Sequence, residues 1–198
     1  MPSSIKLIEC PRDAMQGWTH FIPTETKIKY LNSLLRVGFD TLDFGSFVSP
    51  KAIPQLKDTA EVLSKLELDN TRTKLLAIVA NQRGAEEAAK YDAISYLGFP
   101  FSVSEEFQMR NTNSTIAESL KRVEDIQELC LRKNKSLVIY ISMGFGNPYD
   151  EPWSAELVSH WVKQLAQMGI SIIALSDTVG VSNPENIKEL FSYLIPEM

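Results

Sequence analysis

Charged and polar side chains follow several short apolar runs of this sequence, at the points where strands would end. Arg12 and Asp13 come just after the first run, and Asp43 lies inside the second. A guanidinium stabilises negative charge that develops during a reaction, and carboxylates bind divalent cations or hold such a guanidinium in place. Because charges in apolar strands are costly unless they are paired or metal-bound, the pattern indicates a polar site. The remaining candidates occupy similar positions along the chain: Gln16, Asn81, Tyr140, Ser142, Asp177 and Thr178.

Each candidate also has a structural interpretation. Asp177 and Thr178 could form only a turn. Asp43 could be an interior residue paired with Arg12, which is a structural and a functional role at once. Tyr140 could be a packing residue. The functional interpretation rests on the expected convergence of these residues at the carboxyl ends of parallel strands, where α/β barrels place their active sites.

The elements that must position these residues alternate along the chain. Apolar runs rich in β-branched residues are separated by amphipathic stretches, which is typical of a parallel sheet covered by helices. Thr24 would cap one helix that ends at Gly38, and Thr115 and Glu118 have capping-box spacing. Asn183 would cap the last helix, whose buried stripe would be Ile187, Leu190 and Leu194. We predict strands at 5–9, 41–44, 75–79, 93–97, 137–142 and 170–175, and helices at 24–38, 56–66, 85–91, 115–130, 157–169 and 183–194.

Two α/β architectures accommodate this pattern: a doubly wound open sheet and a (β/α) barrel. Cys10-Pro11-Arg12-Asp13 stands where a dinucleotide fold has its Gly-rich loop, which weakens the first alternative. Six units in 198 residues average about 33 residues each, and eight would need about 264, near the roughly 250 typical of the TIM barrel. The sequence therefore predicts a TIM-barrel type α/β fold with about six of its eight βα units, as one incomplete domain over residues 1–198.

Composition excludes several other classes of protein. The net charge is −5, with no basic cluster, so neither a nucleic acid nor an anionic membrane is an expected partner. No apolar run approaches the length of a membrane span, and no signal or mitochondrial targeting segment is evident. Two cysteines cannot form a disulfide framework or a four-cysteine zinc site, which favours a cytoplasmic setting.

Two strings of the sequence resemble a known family. Residues 12–16, Arg-Asp-Ala-Met-Gln, and residues 46–51, Ser-Phe-Val-Ser-Pro-Lys, are similar to those of the hydroxymethylglutaryl-CoA lyases. These enzymes belong to the metal-dependent TIM-barrel lyases and Claisen-type synthases, and the second string is characteristic of the lyase branch. The resemblance extends over essentially the whole chain. It continues at Pro54-Gln55, Gly146, Pro148-Tyr149 and residues 176–180, Ser-Asp-Thr-Val-Gly.

The resemblance implies a carbon–carbon lyase that cleaves 3-hydroxy-3-methylglutaryl-CoA to acetyl-CoA and acetoacetate, a reaction of leucine degradation. Asp13 would be a ligand to a divalent metal, Mg²⁺ or Mn²⁺, and Arg12 would stabilise the enolate. Asp43 takes the place of a family Glu, and Asp177 corresponds to an active-site acid. The partners implied are an acyl-CoA substrate and further copies of the chain in a homo-oligomer. Residues expected to line the substrate cavity are Gln16, Asn81, Tyr140, Ser142 and Thr178.

The sequence departs from the family pattern in its metal ligands and catalytic cysteine. The family has a His-x-His pair on strand 7, a further Asn ligand and a catalytic Cys, and this sequence reaches none of them. His20 and His160 are its two histidines, and neither is placed to substitute; Cys10 and Cys130 do not replace the catalytic Cys. We therefore expect a fragment of a longer lyase, with an incomplete metal site, weak metal binding and poor turnover.

Two alternatives remain open. A Claisen-type synthase or a 4-hydroxy-2-oxoacid aldolase would keep the fold and change the reaction, although the string at residues 46–51 argues against this. A non-catalytic scaffold would close its sheet by oligomerisation and cover the exposed edges of its first and sixth strands.

Overall fold

Strands and helices alternate along residues 5–197, which are the residues that the computed structural model describes. The chain divides into two compact units, one ending at Leu97 and the other beginning at Gly98, and strand β4, Ile94–Ser102, runs across the boundary. The alternation confirms the predicted α/β class. Within the described range, no helix is long and apolar enough to cross a membrane.

The first unit contains three parallel strands in chain order: β1, Ile8–Glu9, β2, Thr41–Ser46, and β3, Lys74–Ile78. Ile8 is in register with Thr41, and Thr41 with Lys74. The helices of this unit are α1, Pro11–Gln16, α2, Thr24–Val37, α3, Thr59–Leu63, and α4, Gln82–Ala88, with a 3-10 turn at Pro54–Leu56.

The second unit contains the end of β4 followed by β5, Ser136–Ser142, and β6, Ile172–Leu175. β5 and β6 are parallel, with Val138 opposite Ile172. Its helices are α5, Glu105–Thr112, α6, Ile116–Arg132, α7, Ala155–Gln167, and α8, Pro184–Leu194, with a final 3-10 turn at Ile195–Glu197.

Helix ends follow the predicted capping chemistry at three places. Thr115 and Glu118 form a capping box at the start of α6, and Asn183 caps α8 ahead of Pro184. Gly38 ends α2 with φ +84°, a left-handed conformation that side chains other than glycine adopt at a cost. These three helix ends could be predicted from the sequence because each depends only on residues within one helical turn.

Three other expectations about elements were wrong. Thr24 is the first residue of α2 rather than its cap, because its hydroxyl donates to Asp58 Oδ2 at 2.8 Å. The predicted helix at 56–66 is split between the 3-10 turn and the short α3. Ile187 is 38% exposed, although Leu190 and Leu194 on the same helix are buried as expected.

The first strand is shorter and the fourth longer than predicted. β1 has two residues, and Ile5 and Leu7 before it are exposed, so this run is not a buried strand in this unit. β4 extends to Ser102, and the polar stretch after it forms helix α5. Ser104 caps that helix by accepting from the Phe107 amide, and Glu105 and Glu106 occupy its first turn.

Candidate functional site

Arg12 and Asp43 form a buried ion pair in the first unit, as one interpretation of the sequence predicted. Arg12 Nε lies 3.2 and 3.0 Å from the two Asp43 carboxylate oxygens, and Nη2 donates to Oδ2 at 2.7 Å. Asp43 has no exposed surface, and Arg12 is 8% exposed. One carboxylate therefore binds the Nε–Nη2 edge of the guanidinium in a bidentate manner, which fixes the guanidinium plane.

Local structure brings the two charges together. Arg12 lies in the first turn of α1, a helix that was not predicted from the sequence. It begins at Pro11, separated from the end of β1 by one residue. Proline suits this position because its ring presets φ and its missing N–H would have had no helical partner. Asp43 lies in β2. The register of β2 against β3 shifts between Asp43 and Gly45. Such irregularities redirect a side chain at the end of a strand.

Burial governs the electrostatics of the pair. Loss of solvation raises the pKa of the Asp43 carboxyl, and the Arg12 charge and hydrogen bonds oppose that rise. The cost of burying Asp43 is thus offset through one residue, Arg12. Removing Arg12 would leave a buried carboxylate without compensation, and removing Asp43 would leave the guanidinium with its surface contact to Asp13.

The other side of Arg12 contacts two exposed residues of the same helix. Nη1 donates to Asp13 Oδ1 at 2.9 Å and to Gln16 Oε1 at 3.0 Å. Arg12 and Gln16 are one helical turn apart, so their side chains lie on one face of α1. The Asp13 side chain is 74% exposed, in contrast to Asp43. The guanidinium thus links a buried carboxylate to a solvent-facing group of oxygens.

A cavity of about 500 Å³ adjoins this exposed group, and we call it the Asp13 cavity. Its lining combines polar side chains with apolar and aromatic ones. The lining residues are Asp13, Gln16, Gly17, Trp18, Thr19, Phe21, Ala52, Ile53, Pro54 and Gln55.

The side chains around Arg12 offer few ligands to a divalent metal. Among the described residues, no group of three or more His, Cys, Asp or Glu side chains is arranged to hold a metal ion. Asp13 offers an exposed carboxylate, and the Asp43 oxygens are bonded to Arg12. Mg²⁺ binds one or two carboxylates together with water and substrate oxygens. The side chains of residues 5–196 therefore do not form a metal site by themselves.

Cys10 immediately precedes α1 and is exposed. Partial burial of its thiol, together with the nearby Asp43 charge, raises its pKa to about 11. We expect iodoacetamide at pH 8 to alkylate Cys10 about 100-fold more slowly than an ordinary thiol, because thiolate is the reactive form. Mass spectrometry of a Cys130→Ser variant would follow the rate, with the urea-unfolded chain as control. Equal rates in the folded and unfolded chains would contradict this expectation.

Asn81 caps a helix in the first unit and lines a different cavity. Its Oδ1 accepts from the Gly84 amide at 2.9 Å at the start of α4. A Cβ at Gly84 would lie 2.7 Å from the Phe47 carbonyl oxygen, so only glycine allows α4 this close to the loop after β2. The second cavity has about 550 Å³; among its lining residues are Ser46, Lys51, Lys57, Asn81 and Arg83.

In the second unit, Ser142 and Thr178 hold loops together. The carbonyl of Ser142 accepts from the Val103 amide at 3.3 Å, at the end of β5. Thr178 Oγ1 accepts from the Met143 amide at 2.8 Å. Met143 has φ +58°, a conformation that is uncommon for a residue with a side chain. Thr178 thus fixes the turn that follows β5; the proposed substrate contacts of both residues stay predictions.

Asp177 organises its own loop. Its two carboxylate oxygens accept from the Val181 amide at 2.9 Å and the Ser182 amide at 3.0 Å. Hydrogen bonds from Ser182 lower the pKa of the Asp177 carboxyl. This geometry is that of the turn interpretation, and the catalytic role of Asp177 stays a prediction. Tyr140, also of this unit, is half-buried within β5.

Both histidines of the chain are exposed. His160 is exposed on α7, with its ring against Trp161 and its Nε2 3.0 Å from Gln164 Nε2. His20 is exposed, and its carbonyl accepts from Gln55 Nε2 at 2.8 Å.

Sequence reasoning missed a second buried ion pair. Lys27 and Asp58 lie 2.7 Å apart, with side chains 2% and 7% exposed. The signal was present: Lys27 shares a helical stripe with Leu31 and Leu35, both buried. A charged residue at a core position of a helix indicates a buried partner.

A family model described as HMGL-like matches residues 5–198. The chain belongs to the HMGL-like family. Among curated proteins, the mitochondrial hydroxymethylglutaryl-CoA lyase of Rattus norvegicus is 31% identical over 201 residues, covering 100% of this HMGL-like chain. The chain spans 61% of the length of that relative.

Solved structures of the same enzyme are similar to the HMGL-like chain. The HMG-CoA lyase of Bacillus subtilis has a TM-score of 0.92 and 32% identity, covering 100% of this chain and 67% of that one. The enzyme of Acinetobacter baumannii, solved with coenzyme A and 3-methylmalate, has a TM-score of 0.89 and 31% identity; the match covers 96% of this chain and 63% of that one. These similarities confirm the barrel-type fold predicted for the HMGL-like chain.

Proposed function

We propose that the site to which Arg12, Asp13 and Asp43 belong cleaves 3-hydroxy-3-methylglutaryl-CoA to acetyl-CoA and acetoacetate. The observation that carries the proposal is the Arg12 guanidinium, held by buried Asp43 and directed through Nη1 toward exposed oxygens at a cavity. The relatives named as lyases of this substrate, and the relative solved with coenzyme A, support the substrate class. Neither alternative, synthase or scaffold, has an observation in its favour.

The reaction needs a fixed cation at one stage. A base removes the proton of the C3 hydroxyl, and the C2–C3 bond breaks as the C3 carbonyl of acetoacetate forms. The electron pair of that bond passes to the thioester as the enolate of acetyl-CoA, whose carbon then takes up a proton. Negative charge on the enolate oxygen is stabilised by a preorganised donor such as Arg12.

Asp43 and Gln16 assist Arg12 in this proposal. Because Asp43 binds Nε and Nη2, the guanidinium does not have to reorganise when charge develops on the substrate. Gln16 accepts from Nη1 and lines the Asp13 cavity, so its amide is placed to contact a substrate there. The Asp43 carboxylate reaches Arg12 directly although it is one methylene shorter than the Glu of the resemblance.

The remaining features of the proposal rest on the resemblance. A divalent metal, Mg²⁺ or Mn²⁺, would have Asp13 among its ligands. Asn81, Tyr140, Ser142 and Thr178 would contact the acyl-CoA, and Asp177 would act as an acid of the site. The homo-oligomer and the cytoplasmic location stay predictions, and one similar relative is mitochondrial.

A binding and turnover experiment tests the proposal. Calorimetry would compare 3-hydroxy-3-methylglutaryl-CoA, free coenzyme A and a 4-hydroxy-2-oxoacid, and acetoacetate would be measured with Mg²⁺ or Mn²⁺ present. We expect the hydroxymethylglutaryl thioester to bind more tightly than the other two compounds. Equal affinity for the thioester and free coenzyme A would count against a site for its acyl group, and preference for the oxoacid would favour the aldolase.

In a full-length form of the protein that turns over the thioester, Asp13→Ala is expected to abolish metal-dependent cleavage and leave the fold intact. The Asp13 side chain is 74% exposed and its contact with Arg12 is at the surface, so little packing is lost. Acetoacetate formation and circular dichroism would be measured together. Asp69→Ala removes another exposed carboxylate of the first unit, near Arg36 and Glu67, and serves as the control. Near-normal turnover by Asp13→Ala would show that Asp13 is not the metal ligand.

A further inference from the structure

The buried amide of Gln55 holds the segment that follows α1. Gln55 is 6% exposed, although it lies in the short 3-10 turn Pro54–Leu56. Its Nε2 donates to the carbonyls of Trp18, at 3.2 Å, and His20, at 2.8 Å. Its Oε1 accepts from the Ile22 amide at 2.8 Å. One side chain thus satisfies three backbone groups of residues 17–22, which have no helix or strand of their own.

Gln55 is in turn anchored to α2. The Lys27 ammonium donates to the Gln55 carbonyl and pairs with Asp58 Oδ1 at 2.7 Å. Asp58 Oδ2 accepts from the Thr24 hydroxyl at 2.8 Å. These contacts join the loop before α3 to the first two turns of α2. Because the ion pair is buried, the position of Gln55 depends on a few specific contacts.

Segment 17–22 provides the aromatic wall of the Asp13 cavity. Trp18 and Phe21 line the cavity and are 63% and 44% exposed. The Lys27 and Lys57 ammonium groups lie 4.2 and 4.7 Å from the centre of the Phe21 ring, which restricts its orientation. Large exposed aromatic side chains at a cavity beside polar groups are suited to contact a ligand.

We propose that Gln55 is a positioning residue for substrate binding: its amide fixes segment 17–22 so that Trp18 and Phe21 form the wall opposite the polar group of Asp13 and Gln16. The occupant would be the thioester substrate, so this inference rests on the proposed function. Gln55 itself acts through the segment, because all three of its amide hydrogen bonds go to the backbone.

Two amide-to-acid substitutions test the role. Gln55→Glu keeps the acceptor for Ile22 and replaces both donors by an oxygen without changing the size of the side chain, and circular dichroism would establish that each variant is folded. Asn32→Asp is the matched control: Asn32 is also buried in the first unit and bridges backbone groups, accepting from Glu67 at 2.9 Å and donating to Lys65 at 3.4 Å. Its contacts lie away from segment 17–22.

Three quantities would be measured in each protein: backbone hydrogen exchange at 17–22, the Trp18 contribution to fluorescence emission (the difference from the same protein carrying Trp18→Phe), and affinity for 3-hydroxy-3-methylglutaryl-CoA. We expect Gln55→Glu to speed exchange in the segment and to weaken binding, each about tenfold, the loss expected for buried hydrogen bonds. Asn32→Asp should change neither quantity. Where turnover is measured, KM should rise with kcat nearly constant, since binding is the affected step.

The outcomes separate this inference from the proposed function. Faster exchange with unchanged affinity would overturn the binding role of the segment, and unchanged exchange would overturn the positioning role of Gln55. If the unsubstituted protein fails to bind the thioester, the proposed function fails. In that case the positioning role is still decided by exchange and Trp18 emission in Gln55→Glu against Asn32→Asp.

Discussion

Replacing Asp43 with alanine is expected to lower the free energy of unfolding by about 3–5 kcal/mol, the range for breaking a buried ion pair. Asp43 has no exposed surface and binds Arg12 through both carboxylate oxygens. Without it, a guanidinium that is 8% exposed loses its buried counter-charge and is left with the surface contacts of Nη1 with Asp13 and Gln16. Urea unfolding followed by circular dichroism would measure the change.

Two controls identify the cause of that loss. Arg12→Met combined with Asp43→Leu removes both charges, and should recover much of the stability, because a buried pair is often no better than apolar packing. Lys65→Ala removes an exposed pair with Glu25 and Glu61 and should have little effect. An Asp43→Ala variant as stable as Lys65→Ala would show that the buried pair contributes little to the fold.

The sequence predicted best those features that depend on neighbouring residues or on strong patterns. The capping box of Thr115 and Glu118 and the glycine that ends α2 are fixed within one turn of chain. The pairing of Arg12 with Asp43 was predictable because two charges in apolar surroundings need each other.

The features that were missed depend on contacts between segments distant in sequence. The Thr24 hydroxyl is used by Asp58, 34 residues away, and so does not cap its helix. The amide of Gln55 reaches back 33 residues to Ile22. Periodicity does not indicate such pairs, because nothing in either segment specifies its partner. A Lys on the apolar stripe of α2 was the one local sign of them.

Residues that line the Asp13 cavity are held in place by buried ion pairs. Arg12 connects the buried Asp43 to the exposed Asp13 and Gln16, while Gln55 connects a buried ion pair to the exposed Trp18 segment. Both walls of the cavity are thus supported by buried charge. Substitutions of Arg12 or Gln55 should therefore change both the stability of the fold and the affinity for a ligand. The affinities of such variants should be compared at an equal fraction of folded protein.

Arg12→Gln is expected to lower kcat by about 100- to 1000-fold and to leave KM nearly unchanged, in a form of the protein that turns over the thioester. The charge that Arg12 would meet, on the enolate oxygen, exists only after the carbon–carbon bond begins to break. An interaction made only in the transition state affects kcat and kcat/KM alike. Steady-state kinetics of acetoacetate formation would measure both constants.

Arg12→Lys should not rescue this loss. An ammonium is a single point charge, whereas Arg12 binds Asp43 through Nε and Nη2 while Nη1 contacts Asp13 and Gln16. Arg36→Gln, which removes an exposed guanidinium paired with Glu67, is the control and should leave kcat unchanged. Because Arg12→Gln also leaves Asp43 buried without its partner, kcat must be expressed per folded protein. A variant that lost only affinity, with kcat retained, would make Arg12 a binding residue and would require another cation for the enolate.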